Sequence, residues 1–368
     1  MALYPGALPD FPWDSLGPAR AEAARHAPVI DLSIGTPVDP CPASATEAMI
    51  AAVNHPGYPP AMGGERLEQA MAGWWERRRG AHPSAIIPTI GSKEMVALLP
   101  SFLSLGEGAR VLMPARAYPT YEVGARLSGA TPIAIDPEAD PATFPQGDLL
   151  WINSPGNPDG HVLDRDQLRA MIAWARANSV IVASDECYAE IVPDGVEPAP
   201  SLLSSDVCGG DDTGLLALYS LSKQSNLAGY RAAMIAGDKE LLAPIREARR
   251  HAGFMLPGPV IAAMTAVLAD DDHVENQRRV YARRREILRS AVAAAGLEAD
   301  PQTAAGLYLW LSAPGHDAEE IVSALASRGI IVAPGTFYDC DDHIRMSLTA
   351  SDELIELAAT RLATPLFD

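Results

Sequence analysis

Cysteine is scarce in this chain: four residues in 368, widely spaced at Cys41, Cys187, Cys208 and Cys340. They form no C-x-x-C pair, so they carry no zinc signature, and their usage fits a reducing cytoplasm. No apolar run is long enough to span a bilayer. The first residues lack a basic segment followed by an apolar stretch, so no signal peptide is expected. Positive charge is also in short supply, with 28 Lys and Arg against 47 Asp and Glu and a net charge of −19. That balance argues against nucleic acid or an anionic membrane as partner. It still permits a local cationic pocket inside an acidic shell. Neither repeats nor low-complexity linkers occur.

What remains is an ordinary globular composition, 48% hydrophobic and 20% charged. The length implies two domains and a large buried interior. Residues 1–45 are proline-rich and read as an irregular arm with a short strand at 29–33. From about residue 46, helical patterns (43–53, 65–79, 93–103) alternate with short β-branched runs (110–113, 131–134, 148–152, 180–184, 215–219). Such alternation predicts an α/β fold with a mostly parallel sheet. Ligands of these sheets sit in the crevice beyond the strands' carboxyl ends. A helical stretch is expected over 257–289, its basic cluster 278–289 being a solvated face. Shorter elements follow at 307–311, 318–328, 330–333, 343–348 and 351–362. The expected organisation is an arm (1–45) that also belongs to the smaller domain, a large ligand-binding domain (46–256), a connecting helix (257–290) and a small C-terminal domain (291–368).

The chemistry concentrates in the run from Ser220 to Arg231, Ser-Leu-Ser-Lys-Gln-Ser-Asn-Leu-Ala-Gly-Tyr-Arg. Lys223 offers an amine that makes a Schiff base with a carbonyl carbon. Ser220, Ser222 and Arg231 can hold a phosphate dianion. Pyridoxal 5′-phosphate asks for both at once, carrying an aldehyde and a phosphate on one ring.

Other residues suit the same group. Asp185, at the end of an apolar strand, can pair with a protonated pyridine nitrogen, or can simply cap a helix. Tyr188 can donate to the ring's phenolic oxygen, or pack. The turn Asn153-Ser154-Pro155-Gly156-Asn157-Pro158-Asp159-Gly160 can aim the Asn157 amide at that oxygen, or be a plain strand-to-helix loop. Ser92 and Lys93 open an apolar helix whose free amides suit phosphate, or Ser92 is only an N-cap. Tyr118 can stack on the ring. Tyr58, in a Gly/Pro loop, can reach a neighbouring subunit's site. Arg345 lies in an otherwise apolar strand, where its fork needs an anion: either a substrate carboxylate or a buried structural partner.

In this order the residues resemble the class I/II aminotransferases of the fold-type I pyridoxal-phosphate enzymes, over almost the whole chain. The resemblance implies a large domain with a mostly parallel seven-stranded sheet and a smaller α/β domain. It makes Lys223 the Schiff-base lysine, Asp185 the partner of the pyridine nitrogen, and Asn157 and Tyr188 the ligands of the phenolic oxygen. Tyr118 stacks on the ring. Ser92, Lys93, Ser220, Ser222 and Arg231 surround the phosphate, with Tyr58 reaching it from the other subunit of a homodimer. Arg345 grips the substrate α-carboxylate, and Gly35 lets that group approach the backbone.

The text Leu8-Pro9-Asp10-Phe11-Pro12-Trp13-Asp14, then Asp31–Asp39 and Pro56-Gly57-Tyr58-Pro59, is similar to actinobacterial-type N-succinyldiaminopimelate aminotransferases of lysine and diaminopimelate synthesis. Glutamate would be the amino donor and 2-oxoglutarate its keto acid. One departure is Asp159, where the family more often has Thr or Ser before the glycine. Lys93, and less so Arg116, are candidates to read a distal carboxylate. Alternatives are an aspartate or broad-specificity aminotransferase, and a C–S lyase or decarboxylase on the same scaffold. A transcription regulator that borrowed the fold would need an appended DNA-binding domain, which the early catalytic text and the negative charge disfavour. No metal is expected.

Overall fold

A computed structural model describes residues 8–9 and 12–367; Asp10 and Phe11 of the N-terminal text lie outside them. Seven strands build the larger sheet: β1 (Ala85–Ile90), β2 (Arg110–Pro114), β3 (Thr131–Ile135), β4 (Leu149–Asn153), β5 (Ile181–Asp185), β6 (Leu215–Ser220) and β7 (Ala232–Gly237). Their spatial order is β1-β7-β6-β5-β4-β2-β3. All run parallel except β7, which is antiparallel to both β6 and β1.

The central strands are apolar on both faces, as a sheet covered by helices on each side requires. Side chains alternate across it: Leu150 and Ile152 join the core containing Trp74, Tyr219 and Met234, while Leu149 and Trp151 join the core containing Val96, Leu218 and Ile235. Helix Glu65–Arg79 buries Trp74 and Trp75 and stops at Gly80, which takes the left-handed conformation (φ +59°) common just past a helix end. Helix Arg165–Asn178 starts with a capping box between Asp164 and Gln167.

A second sheet has four antiparallel strands in the order Ala333–Pro334, His343–Ser347, Tyr308–Ser312, Glu298–Ala299. Beside it, Ile30–Asp31 pairs in parallel with Ile330–Ile331. A separate core joins Ile30 and Leu32 to Leu309, Leu311, Ile344 and Ile355. The N-terminal segment is thus stitched to the smaller sheet.

Two expectations need correction. The helical stretch over 257–289 is two helices, Gly258–Leu268 and Asp272–Ala294, the first packed on helices Ala43–Ala51 and Glu65–Arg79. The basic cluster is only partly a solvated face. Arg279, Arg283 and Arg289 are exposed, but Arg284 and Arg285 are buried. Arg284 grips Asp39 bidentately (2.8 and 2.6 Å) and donates from Nε to Asp352 (2.8 Å), while Arg285 bonds the Gly306 carbonyl. A guanidinium at helical spacing looks the same in sequence whether water or an acid from a distant segment satisfies it.

Candidate active site

Strands β4, β5 and β6 lie side by side and end in Asn153, Asp185 and Ser220. Asn153 and Asp185 are direct register partners, and the Asn153 amide donates to the Asp185 carbonyl at 3.0 Å. Its carbonyl oxygen accepts from the Asn157 backbone N–H at 2.9 Å, which fixes the turn. Beyond these ends lies a cavity of about 340 Å³. Every residue singled out in sequence lines it except Tyr58, which is 97% exposed, and Arg116, which is exposed and outside the lining.

One end of the cavity is built for an anion. Helix Ser92–Phe102 starts there, with Gly91 rather than Ser92 in the N-cap position. Gly91 takes φ +73°, and a Cβ on it would collide with the Arg231 guanidinium. The missing side chain is what lets Arg231 lie across the helix start. Arg231 holds a left-handed backbone (φ +56°), strain of the sort found where a side chain must be aimed. Ser220 donates to Ser222 at 2.8 Å, so both hydroxyls face the same space. Burial, then the nearby Arg231, pushes the Lys93 amine below its ordinary value. Its Nζ stands 5.8 Å from the centre of the Tyr118 ring.

Asp185 lies across the floor. Its Oδ2 accepts from the Tyr121 hydroxyl at 3.1 Å and its Oδ1 from the Cys187 backbone N–H at 3.2 Å. It therefore does cap the following turn while facing the cavity. Burial raises its pKa, with hydrogen bonds from Cys187 and Tyr121 working the other way. No cation pairs with it among the described residues. A buried carboxylate in that position favours a protonated ring nitrogen as its partner.

Lys223 follows β6 in the short helix Leu221–Gln224. Its Nζ donates to the Gly35 carbonyl. Burial lowers its pKa, and Arg345 and Arg231 act in the same direction. More of the amine is then neutral, the form that attacks a carbonyl.

Arg345, 2% exposed, donates to Asn157 Oδ1 and to the Ser33 carbonyl, each at 2.7 Å. Its Nε has no hydrogen-bond partner among the described residues. No carboxylate pairs with it among the described residues, which removes the structural ion pair as an explanation. The guanidinium carbon instead stands 4.0 Å from the Tyr308 ring centre, 5.2 Å from Tyr338 and 5.8 Å from Trp13. Such a box holds the fork in place and leaves a bidentate anion site.

Cys187, Tyr121, Tyr308 and Trp13 also line the cavity and were not singled out in sequence. Tyr121 had a signal, standing three residues after Tyr118 at a helix start. Tyr308 had none, because its place depends on strand register. The space a Cβ on Gly35 would need is filled by the Tyr308 hydroxyl, so that glycine accommodates a neighbour within the chain.

Comparison with known proteins agrees with this geometry. The family model for class I and II aminotransferases matches residues 27–362. The chain is 45% identical to 4-dedimethylamino-4-oxo-anhydrotetracycline transaminase OxyQ of Streptomyces rimosus, covering 96% of this chain and 99% of that protein. It is 47% identical to "Probable aminotransferase Rv1178" of Mycobacterium tuberculosis, covering 96% and 85%. Among solved structures, a "probable N-succinyldiaminopimelate aminotransferase" of Thermus thermophilus superposes with a TM-score of 0.85 at 29% identity, covering 96% and 99%. No helix among the described residues is long and apolar enough to cross a membrane. By that family match and those identities, the chain therefore belongs to the class I and II aminotransferases and depends on pyridoxal phosphate.

Proposed function

We propose that the protein moves an amino group between N-succinyl-LL-2,6-diaminopimelate and 2-oxoglutarate. In this reading residues 46–256 form the cofactor-binding body, and two copies of the chain complete each other's sites through Tyr58. Bound pyridoxal phosphate would supply an aldehyde carbon that bonds amines reversibly and a ring that withdraws electrons. Lys223 Nζ would hold the cofactor and, when not bonded to it, would take up and return the substrate's α-proton. Asp185 keeps the ring nitrogen protonated. Asn157 and Tyr188 hold the phenolic oxygen and Tyr118 stacks on the ring. Ser92, Lys93, Ser220, Ser222 and Arg231 hold the phosphate. Arg345 binds the substrate α-carboxylate beside Gly35.

The observation that carries this reading is the buried Arg345 fork without an acid, facing the Lys223 amine across one cavity. Support for the succinylated substrate is the likeness to the Thermus protein. Lys93, facing the same cavity as Arg345 and Lys223, is the cation proposed for the distal carboxylate. A second reading, amination of a ring ketone, is favoured by the 45% identity to OxyQ.

The test pairs chemistry with trapping. Borohydride reduction and peptide mapping should label Lys223, and Lys223→Ala should lose the visible absorbance of the bound cofactor. A mutant keeping that band and full turnover would overturn the assignment. With glutamate as donor, the succinylated keto acid should outrun oxaloacetate and polycyclic ketones; preference for a small unsuccinylated acceptor removes the narrow substrate. Keto acid formed without any acceptor would instead reveal a lyase.

A further inference from the structure

Tyr308 has no part in the scheme above, yet it meets Arg345, Tyr188 and Gly35 at once. It is buried in strand Tyr308–Ser312, where it pairs with Ser347 and lies diagonal to Arg345 on the same face of the smaller sheet. Its ring lies under the guanidinium, 4.0 Å from the guanidinium carbon to the ring centre. Its hydroxyl sits 3.2 Å from that of Tyr188, and against Gly35, whose carbonyl receives the Lys223 amine. One side chain thus meets the carboxylate clamp through its face and the lysine's neighbourhood through its edge.

The titration tendencies of the two phenols differ. Burial raises Tyr188 well above the ordinary tyrosine range, and Tyr308 adds to that. Burial would raise Tyr308 too, but Arg345 and Lys223 outweigh it and the net direction is down. The two hydroxyls stand 3.2 Å apart, and either can donate to the other. A hydroxyl has one proton and two lone pairs. Whichever of the two donates, the Tyr308 oxygen keeps a lone pair beside Gly35, whose carbonyl receives the Lys223 amine.

We propose that Tyr308 is a positioning residue with two separable tasks: its ring holds the Arg345 fork for the substrate carboxylate, and its hydroxyl favours the protonated state beside Lys223. This rests on the roles assigned above to Lys223 and Arg345. It also gives Gly35 a reason within the chain, since any side chain there would displace the hydroxyl.

Two substitutions separate the tasks. Tyr308→Phe keeps the ring and removes the hydroxyl. The pH midpoint of the bound cofactor's visible band should fall, because the protonated state at Lys223 loses a neighbouring oxygen lone pair. Turnover should drop roughly five- to tenfold, the weight of one hydrogen bond, with the KM for the amino donor nearly unchanged. Tyr308→Leu removes the ring as well, and the donor's KM should rise by about tenfold. Gly35→Ala should shift the midpoint in the same direction as Tyr308→Phe.

An unmoved midpoint with unchanged kcat in Tyr308→Phe overturns the hydroxyl's task. Equal donor KM in the Phe and Leu variants overturns the ring's. Should Tyr308→Leu not fold, Tyr308→Trp, which keeps an aromatic face, replaces it, with the donor KM expected to stay near that of the Phe variant; a KM raised by about tenfold or more despite that face would overturn the ring's task. Borohydride labelling in the wild type keeps the failures apart: label at Lys223 with a silent Tyr308→Phe sinks this inference alone, and no label at Lys223 sinks the functional reading beneath it.

Discussion

The Asn157 carboxamide oxygen accepts a 2.7 Å hydrogen bond from Arg345, joining residues 188 apart in the chain. One belongs to the turn after β4 and the other to the smaller sheet. The bond aims the guanidinium and leaves the amide nitrogen as the donor on the other side of the carboxamide. Arg345→Lys replaces a planar fork by a point charge that cannot serve Asn157, Ser33 and a substrate carboxylate together. Charge-assisted hydrogen bonds contribute roughly 1.5–3 kcal/mol each. We expect kcat/KM for the amino donor to fall about 100-fold, mostly through KM, with the bound cofactor's absorbance unchanged. Steady-state kinetics and a spectrum of the variant check this.

Asp185→Ala should retain cofactor and lose turnover. An opposite charge this close shifts a partner's pKa by roughly 1–3 units. Its removal therefore leaves the ring nitrogen protonated about 10- to 1000-fold less often. Tyr121→Phe takes only one hydrogen bond from the carboxylate, so a loss of about fivefold is expected. Normal turnover in Asp185→Ala would mean that the ring nitrogen is handled otherwise.

His161 ties three segments together. Its Nδ1 meets Glu138 at 2.6 Å and its Nε2 meets Asp300 at 3.0 Å, while Asp159 stands 3.9 Å away. Burial lowers its pKa, but Asp159, Asp300 and Glu138 outweigh burial and the net direction is up from 6.5. Since the folded pKa exceeds the unfolded one, the stabilisation is complete below the ordinary imidazole range. It fades as pH rises through the raised value. His161→Gln should lower Tm more at pH 5.5 than at pH 8.5, a comparison thermal melts can make. Equal losses would show that the imidazole's charge is not what joins these segments.

Behind the active site, Arg79 and Glu186 are each 1% exposed and 3.0 Å apart, with Glu190 3.6 Å from the same arginine. Arg79→Ala would leave the buried Glu186, next to Asp185 in sequence, without its cation, while Glu190 would keep Arg78. Breaking such a pair costs about 3–5 kcal/mol. Arg165→Ala, which removes a half-exposed partner of Asp206, should cost under about 1 kcal/mol. Denaturant unfolding of the two variants gives the contrast.

The larger sheet was legible where both faces are apolar. Runs 110–113, 148–152 and 215–219 fall within one residue of β2, β4 and β6. Strands β1 and β7 went unpredicted: a proline interrupts Ala-Ile-Ile-Pro-Thr-Ile, and alanine and glycine dilute Ala-Ala-Met-Ile-Ala-Gly. The cavity residues carried by motifs were legible because their chemistry is local, as with Ser220, Ser222 and Lys223. Tyr308 and the pairing of Arg284 with Asp39 were not, because strand register sets the first against Arg345 and helix packing brings the second together across 245 positions.

Ile30 pairs with Ile330, the Leu32 N–H bonds the Ile331 carbonyl, and Ser347 donates its N–H to Leu32. Ser33 and Gly35 are thereby anchored beside Arg345, whereas Lys223 and Asp185 ride on the other sheet. Any hinge between the sheets would swing Ser33, Gly35 and Arg345 together as one jaw. Opening it would release the Arg345 fork from Asn157, the one part of its support that rides with the lysine.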